Sequence, residues 1–117
     1  MAFGNVGIVW AVFNAYRDHR IFEMLELLHE EVIWVRLGPD GPTEYQGHDG
    51  VRKMLTELRQ ANSGYYTVHL DDVFEDEPGL VIAKGTEKPA GNNYGTKVMW
   101  RVQLLGGLVS GVETVPG

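Results

Sequence analysis

The chain has 117 residues, of which 44% are hydrophobic and 22% are charged. This length and composition predict one globular domain spanning residues 1–117 and exclude an intrinsically disordered protein. The net charge of -6 argues against nucleic acid and anionic membranes as partners. The sequence contains no cysteine, which excludes disulfides, thiolate metal ligands and a cysteine nucleophile and fits a cytoplasmic protein.

Apolar residues at helical spacing predict three helices in the first half of the chain. The first covers residues 4–17 and reads as a helix, not as a signal peptide, because it lacks a basic leader. The second covers residues 19–29, where Asp18 is placed to cap its start. The third covers residues 48–64, with Asp49 as its expected N-cap and an Asn-Ser-Gly ending. The sequence has no run of 18 apolar residues, so it predicts no membrane-spanning helix.

Alternating apolar and polar residues predict strands in the rest of the chain. One strand, EEVIWVRL, follows the second helix, and GPDGP (residues 38–42) is typical of a turn. TEYQG is a short extended piece before the third helix. Four further strands follow it with short turns between them, so the pattern as a whole predicts an α+β fold; these strands cover residues 65–74, 80–88, 95–105 and 108–115.

Three local motifs resemble one known family. LLHEEVIWV, YQGHDGVRKMLTEL and LLGGLVSGV resemble the SnoaL-like, ketosteroid isomerase-related branch of the nuclear transport factor 2-like superfamily. The resemblance extends over nearly the whole chain and its motifs are structural, not catalytic. It implies a cone-shaped α+β barrel, in which three N-terminal helices pack on a curved, mostly antiparallel sheet.

The same resemblance implies an apolar pocket at one end of the cone. Members of such families bind small hydrophobic molecules there, and several form homodimers through the outer face of the sheet. Their activities include ketosteroid isomerisation, polyketide cyclisation, epoxide hydrolysis and dehydration. No cofactor is expected.

The ketosteroid isomerase reaction requires a tyrosine on the first helix, an aspartate base on the first strand and a protonated acid on a late strand. An ungapped alignment with that pattern places Val12, Arg36 and Trp100 at these three positions. None of the three can perform the corresponding role. Tyr16 lies one turn after Val12 and is a candidate displaced tyrosine, but no base replaces the aspartate. The sequence therefore argues against the isomerase mechanism.

Arg36 is the charged residue in an otherwise apolar strand, and the alignment turns it toward the pocket together with Val32 and Trp34. One interpretation is a rim residue whose stem is buried and whose guanidinium reaches water. The other is an ion pair inside the pocket, for which Glu87 is the best candidate. Glu87 would share an inward face with Val81, Ala83 and Gly85, whereas a register slip would turn Lys84 and Thr86 inward.

The remaining candidate residues divide between pocket and core. Trp34 and Trp100 would form flat apolar walls or would be core tryptophans. His69 lies mid-strand and could face the pocket as a general acid or base. Tyr45 is either a pocket lip or a contact for the third helix. The histidines have no metal-ligand spacing, so no metal site is expected.

Three functions remain open on the sequence alone. The first is the binding of a small, largely apolar molecule by Val12, Tyr16, Trp34 and Trp100, with Arg36 and Glu87 as polar residues. The second is a lyase, cyclase or hydrolase that uses Arg36 with Glu87 or His69. The third is a dimeric accessory or scaffold protein with a filled core and no ligand.

Overall fold

The computed structural model describes residues 4–38, 40–61, 66–89 and 95–117. Within these ranges the chain forms helices packed on one sheet, which confirms the α+β class. In chain order the elements are α1 (Asn5–Arg17), α2 (Ile21–Glu26), β1 (Leu28–Gly38), β2 (Gly41–Gln46), α3 (Gly47–Ala61), β3 (Tyr66–Glu77), β4 (Leu80–Pro89), β5 (Thr96–Leu105) and β6 (Leu108–Pro116).

The six strands form a curved, unclosed sheet in the order β2-β1-β6-β5-β4-β3. All neighbouring pairs are antiparallel except β1 and β6, which run parallel. The last four strands form the predicted meander, because short turns favour antiparallel pairing of consecutive strands. The parallel contact then places the last strand in the middle of the sheet, beside the first.

The core lies between the helices and the concave face of this sheet. α1 packs against β3, and α3 packs against β1. The stripe predicted for α1 is buried as expected, and the third helix buries its own apolar stripe opposite it; these residues are Val9, Val12, Phe13 and Tyr16 of α1 and Val51, Met54 and Leu55 of α3.

The second helix is shorter than predicted. It ends at Glu26, because the chain from Leu28 onward joins the sheet. The backbone N–H of Val109 donates to the carbonyl of Leu27 at 3.0 Å, and Leu28 pairs with Val109. Asp18 does not cap the helix, since its carboxylate instead binds Arg17 and Arg20.

The predicted turn at residues 38–42 is also shorter than expected. Gly38 pairs with Gly41, so β2 begins at Gly41 and includes Pro42. A proline is tolerated here because β2 lies at the edge of the sheet, where its missing N–H interrupts no ladder. The third helix begins at Gly47, which places Asp49 in its first turn and not at the N-cap.

Some predictions fall on residues that the structure does not describe. They are the Asn-Ser-Gly ending of the third helix and most of the turn between β4 and β5. In the described ranges, no helix is long and apolar enough to cross a membrane.

Candidate functional site

Arg36 and Glu87 form a bidentate ion pair on the concave side of the sheet. Nη1 of Arg36 donates to Oε2 of Glu87 at 2.7 Å, and Nη2 donates to Oε1 at 3.0 Å. β6 and β5 separate their two strands, so the pair spans two strands of the curved sheet. The side chains are 20% and 10% exposed, respectively. Of the two interpretations of Arg36, the structure therefore shows the ion pair with Glu87 and not a guanidinium in open solvent.

The strand periodicity explains why Glu87 points inward. Val81, Ala83, Gly85 and Glu87 are all buried, whereas Lys84 is exposed. This is the register that the sequence favoured, and the slip that would turn Lys84 inward does not occur. Apart from tyrosines and tryptophans, the described part of the chain has two buried residues with polar side chains. They are Glu87 and Thr114.

Two tyrosines complete the polar cluster around this ion pair. The hydroxyl of Tyr66 donates to Oε2 of Glu87. Val68 pairs directly with Glu87, and Tyr66 lies two residues earlier on the same face of β3. The ring of Tyr16 lies 6.0 Å from the ring of Tyr66. Tyr16 is fully buried, yet its hydroxyl has no hydrogen-bond partner among the described residues.

The electrostatics of the cluster favour a neutral Tyr16 and a charged Arg36. Burial raises the pKa of Tyr16 well above its usual 10.0, the charge of Glu87 raises it further, and Arg36 opposes this in part. Burial works to lower the pKa of Arg36, but the hydrogen bonds and charge of Glu87 outweigh it and raise that pKa. The phenol is therefore a potential hydrogen-bond donor at every ordinary pH.

Trp34 and Trp100 are completely buried. Nε1 of Trp34 donates to Oγ1 of Thr114 at 3.1 Å. The ring of Phe13 lies between the two indoles, 6.0 Å from Trp34 and 4.6 Å from Trp100. The indole N–H of Trp100 lacks a partner among the described residues. This aromatic cluster belongs to the hydrophobic core.

A cleft of about 210 Å³ opens between the helices and β3, beside this polar cluster. α1, α2, α3 and β3 each contribute residues to its wall, and the two tyrosines of the polar cluster are among them. The lining residues are Tyr16, His19, Ile21, Arg52, Leu55, Thr56, Arg59 and Tyr66.

The candidate residues from the sequence separate into three groups. Tyr16 lines the cleft, and Arg36 and Glu87 lie behind it, joined to it through Tyr66. Val12, Trp34 and Trp100 are packed in the core and do not line this cleft. Whether any of them contacts a ligand stays a prediction.

His69 does not face the interior, so the expectation that it could do so is wrong. Its neighbours Val68 and Leu70 are buried, and strand alternation turns the His69 side chain outward, where it is 64% exposed. Tyr45 contacts the third helix, since its hydroxyl donates to Oε1 of Glu57 at 3.1 Å. No group of three or more imidazole and carboxylate side chains in the described ranges could hold a metal ion.

Sequence reasoning missed Tyr66 and the α3 residues of the cleft. Tyr66 could have been found, because Tyr66, Val68 and Leu70 share one strand parity and Glu87 occupies the facing strand. Arg59 could not have been found in this way, since a charged residue in the last turn of a helix is usually a solvated one.

Comparison with known proteins assigns the fold to a family. The model of the SnoaL-like domain matches residues 9–111. Comparison with functionally curated proteins finds no match.

Solved structures similar to this chain share its fold at low sequence identity. TerC, crystallised with polyporic acid, is 20% identical with a TM-score of 0.82, over 97% of this chain and 91% of its own. A putative polyketide cyclase from Sinorhizobium meliloti is 13% identical with a TM-score of 0.77, over 92% of each chain. A putative ketosteroid isomerase from Kribbella flavida is 14% identical with a TM-score of 0.74, over 96% of this chain and 76% of its own.

Proposed function

Since this chain belongs to the family of SnoaL-like domain proteins, we propose that it binds a small, largely apolar molecule in the pocket of its cone. The cleft beside Tyr16 and Tyr66 receives the molecule. The Arg36–Glu87 pair holds the polar end of the cleft in a fixed geometry. The proposal needs no isomerase chemistry, because Arg36 occupies the position of the aspartate base in the ketosteroid isomerase pattern.

The observation that carries this proposal is the buried hydroxyl of Tyr16, which has no hydrogen-bond partner in the part of the chain that the structure describes. Leaving such a group without a hydrogen bond costs about 1–3 kcal/mol. A turn of the Tyr16 side chain toward the cleft would let a ligand oxygen accept from this hydroxyl and would remove the cost, and the apolar wall from Ile21 and Leu55 would contact the rest of the molecule. The ligand expected here therefore carries a carbonyl or hydroxyl oxygen on an apolar body.

Two of the structural relatives support a small organic ligand. TerC was crystallised with polyporic acid, and another relative is a putative polyketide cyclase. Their identity to this chain is too low to transfer a substrate. They support the general class of ligand and leave its structure to experiment.

Native mass spectrometry of the purified protein, followed by ligand extraction, tests the proposal directly. A bound small molecule is expected in the native spectrum. Replacing the hydroxyl in Tyr16→Phe should weaken the binding of that molecule by about fivefold to tenfold, because one buried hydrogen bond is lost. Tyr45→Phe is the matched control, since Tyr45 carries a phenol outside the cleft. Equal affinity in both variants, or no ligand and no binding of small ketones and phenols, would contradict the proposal.

A second candidate function is a lyase, cyclase or hydrolase on the same kind of molecule. The favouring observation is the contact of Glu87 with both Arg36 and Tyr66, which links a carboxylate to the cleft by hydrogen bonds. Glu87 would transfer the proton and Arg36 would stabilise developing negative charge. If this is correct, Glu87→Gln should retain binding of the extracted molecule but abolish its conversion, as followed by mass spectrometry.

A further inference from the structure

The mouth of the cleft has the opposite charge to the molecule as a whole. The protein carries a net charge of -6. Among the described residues that line the cleft, the ionisable ones besides the tyrosines are His19, Arg52 and Arg59, and none of them is a carboxylate. A cleft lined by one sign of charge concentrates ligands of the other sign.

The two arginines of the mouth differ in their contacts. Nη1 of Arg52 lies 3.9 Å from Oδ1 of Asp49, and its guanidinium lies 5.9 Å from the ring centre of Phe22. Arg59 makes no ion pair with any carboxylate of the described residues. Its position in the last turn of α3 is favourable for a cation in itself. The helix dipole thus accounts for a cation at this position, and no carboxylate of the described residues competes with a ligand for its guanidinium.

Arg52 and Arg59 are the first and the last α3 residues that line the cleft. They lie seven residues apart on α3, which corresponds to about 10.5 Å along the helix axis. Leu55 and Thr56 lie between them and also line the cleft. Because the guanidinium of Arg52 already lies near Asp49 and Phe22, Arg59 is the better candidate for direct contact, and Arg52 and His19 would contribute mainly through the local potential.

We propose that the cleft selects anionic ligands: apolar molecules with a carboxylate or a similarly acidic oxygen, bound at the mouth by Arg59. The apolar body lies against Ile21, Leu55 and the ring of Tyr66, and a second oxygen at the inner end accepts from Tyr16. This inference rests on the proposed function, which requires only that the cleft binds a small apolar molecule. It adds that the ligand is an anion and that Arg59 is the residue that recognises its charge.

The test compares an anion with a neutral molecule of nearly the same shape. The probes are 6-hydroxy-2-naphthoate and 6-hydroxy-2-naphthamide, whose binding is measured by isothermal titration calorimetry at low and high salt. The wild type should bind the naphthoate about threefold to tenfold more tightly than the amide, and salt should reduce the difference. Arg59→Gln should remove most of this preference without weakening the amide.

Arg101→Gln is the matched control. It removes the same charge from an exposed residue on the outer face of the sheet, far from the cleft. This variant should keep the preference for the anion. Equal affinity of the wild type for both probes, or equal losses in the Arg59 and Arg101 variants, would overturn the inference and leave the proposed function standing. Failure of both probes to bind would contradict the proposed function and the inference with it.

Discussion

Arg36 and Glu87 keep two charges inside an apolar sheet because each satisfies the other. The guanidinium and the carboxylate meet through two parallel hydrogen bonds, and Tyr66 binds the carboxylate as well. Burial makes such a pair a weak source of net stability, since both charges lose their hydration. Removing one partner, in contrast, destabilises the protein strongly, because the other charge then remains buried without compensation.

A double-mutant cycle on this pair should show strong coupling. Arg36→Met and Glu87→Gln should each lower the free energy of unfolding by about 2–3 kcal/mol, and the double variant should lose less than the sum of the two. Urea denaturation followed by circular dichroism measures all three differences. Arg101→Gln provides the control, with an expected change within about 0.5 kcal/mol for an exposed residue. Strictly additive losses would show that the two side chains do not interact as described.

At the scale of helices and strands, sequence patterns predicted some features of the structure and failed to predict others. The stripe of α1 and the alternation of β4 predicted burial correctly, because both patterns report directly on one face of one element. The end of α2 could not be predicted, since Leu28 fits a helical stripe as well as a strand. The pairing of Leu28 with Val109 decides between them, and that contact joins residues far apart in the chain. The sequence left the direction of the His69 side chain open for the same reason, because that direction depends on where β3 joins the sheet.

The contact between β3 and β4 depends on a glycine at one position. The ladder shifts register between Leu70 and Asp72, and Gly85 lies opposite this irregularity. A Cβ atom at residue 85 would lie 2.1 Å from the carbonyl oxygen of His69 and 3.0 Å from the ring of Trp100. The backbones of the two strands approach too closely there for any side chain.

Gly85→Ala should therefore destabilise the protein by about 1–3 kcal/mol, the usual cost of forcing extra volume into a packed interior. Urea denaturation measures the change. Gly38→Ala is the control, because a Cβ atom there would meet only the carbonyl oxygen of Gly41 at an ordinary 3.7 Å. A loss in Gly85→Ala no greater than in this control would contradict the close approach.

At the scale of the whole molecule, the outer face of the sheet is the expected surface for a homodimer. The side chains of Ile33 and Phe74 on this side are each 39% exposed. Asp72 and Lys84 occupy facing positions of β3 and β4 on the same side, so the face combines apolar residues with both signs of charge. Such a surface can match a second copy of itself around a two-fold axis.

Ile33→Arg should weaken this dimer by placing an unpaired charge in its interface. Native mass spectrometry across a range of protein concentrations should detect a dimer in the wild type and a shift to monomer in the variant. Leu105→Arg provides the control, since Leu105 is exposed at the end of β5 beside the hairpin to β6. A wild type that stays monomeric at every concentration would contradict the expected dimer.

The parallel pairing of β1 with β6 has a consequence for how the chain folds. The strand made last lies between β1 and β5, so the two halves of the sheet join only through it. The meander can begin to form from local contacts, whereas the junction with β1 must close a loop of about 80 residues, which is slow on entropic grounds. During synthesis, β1 and β2 therefore stay unpaired with the rest of the sheet until residues 108–116 have left the ribosome.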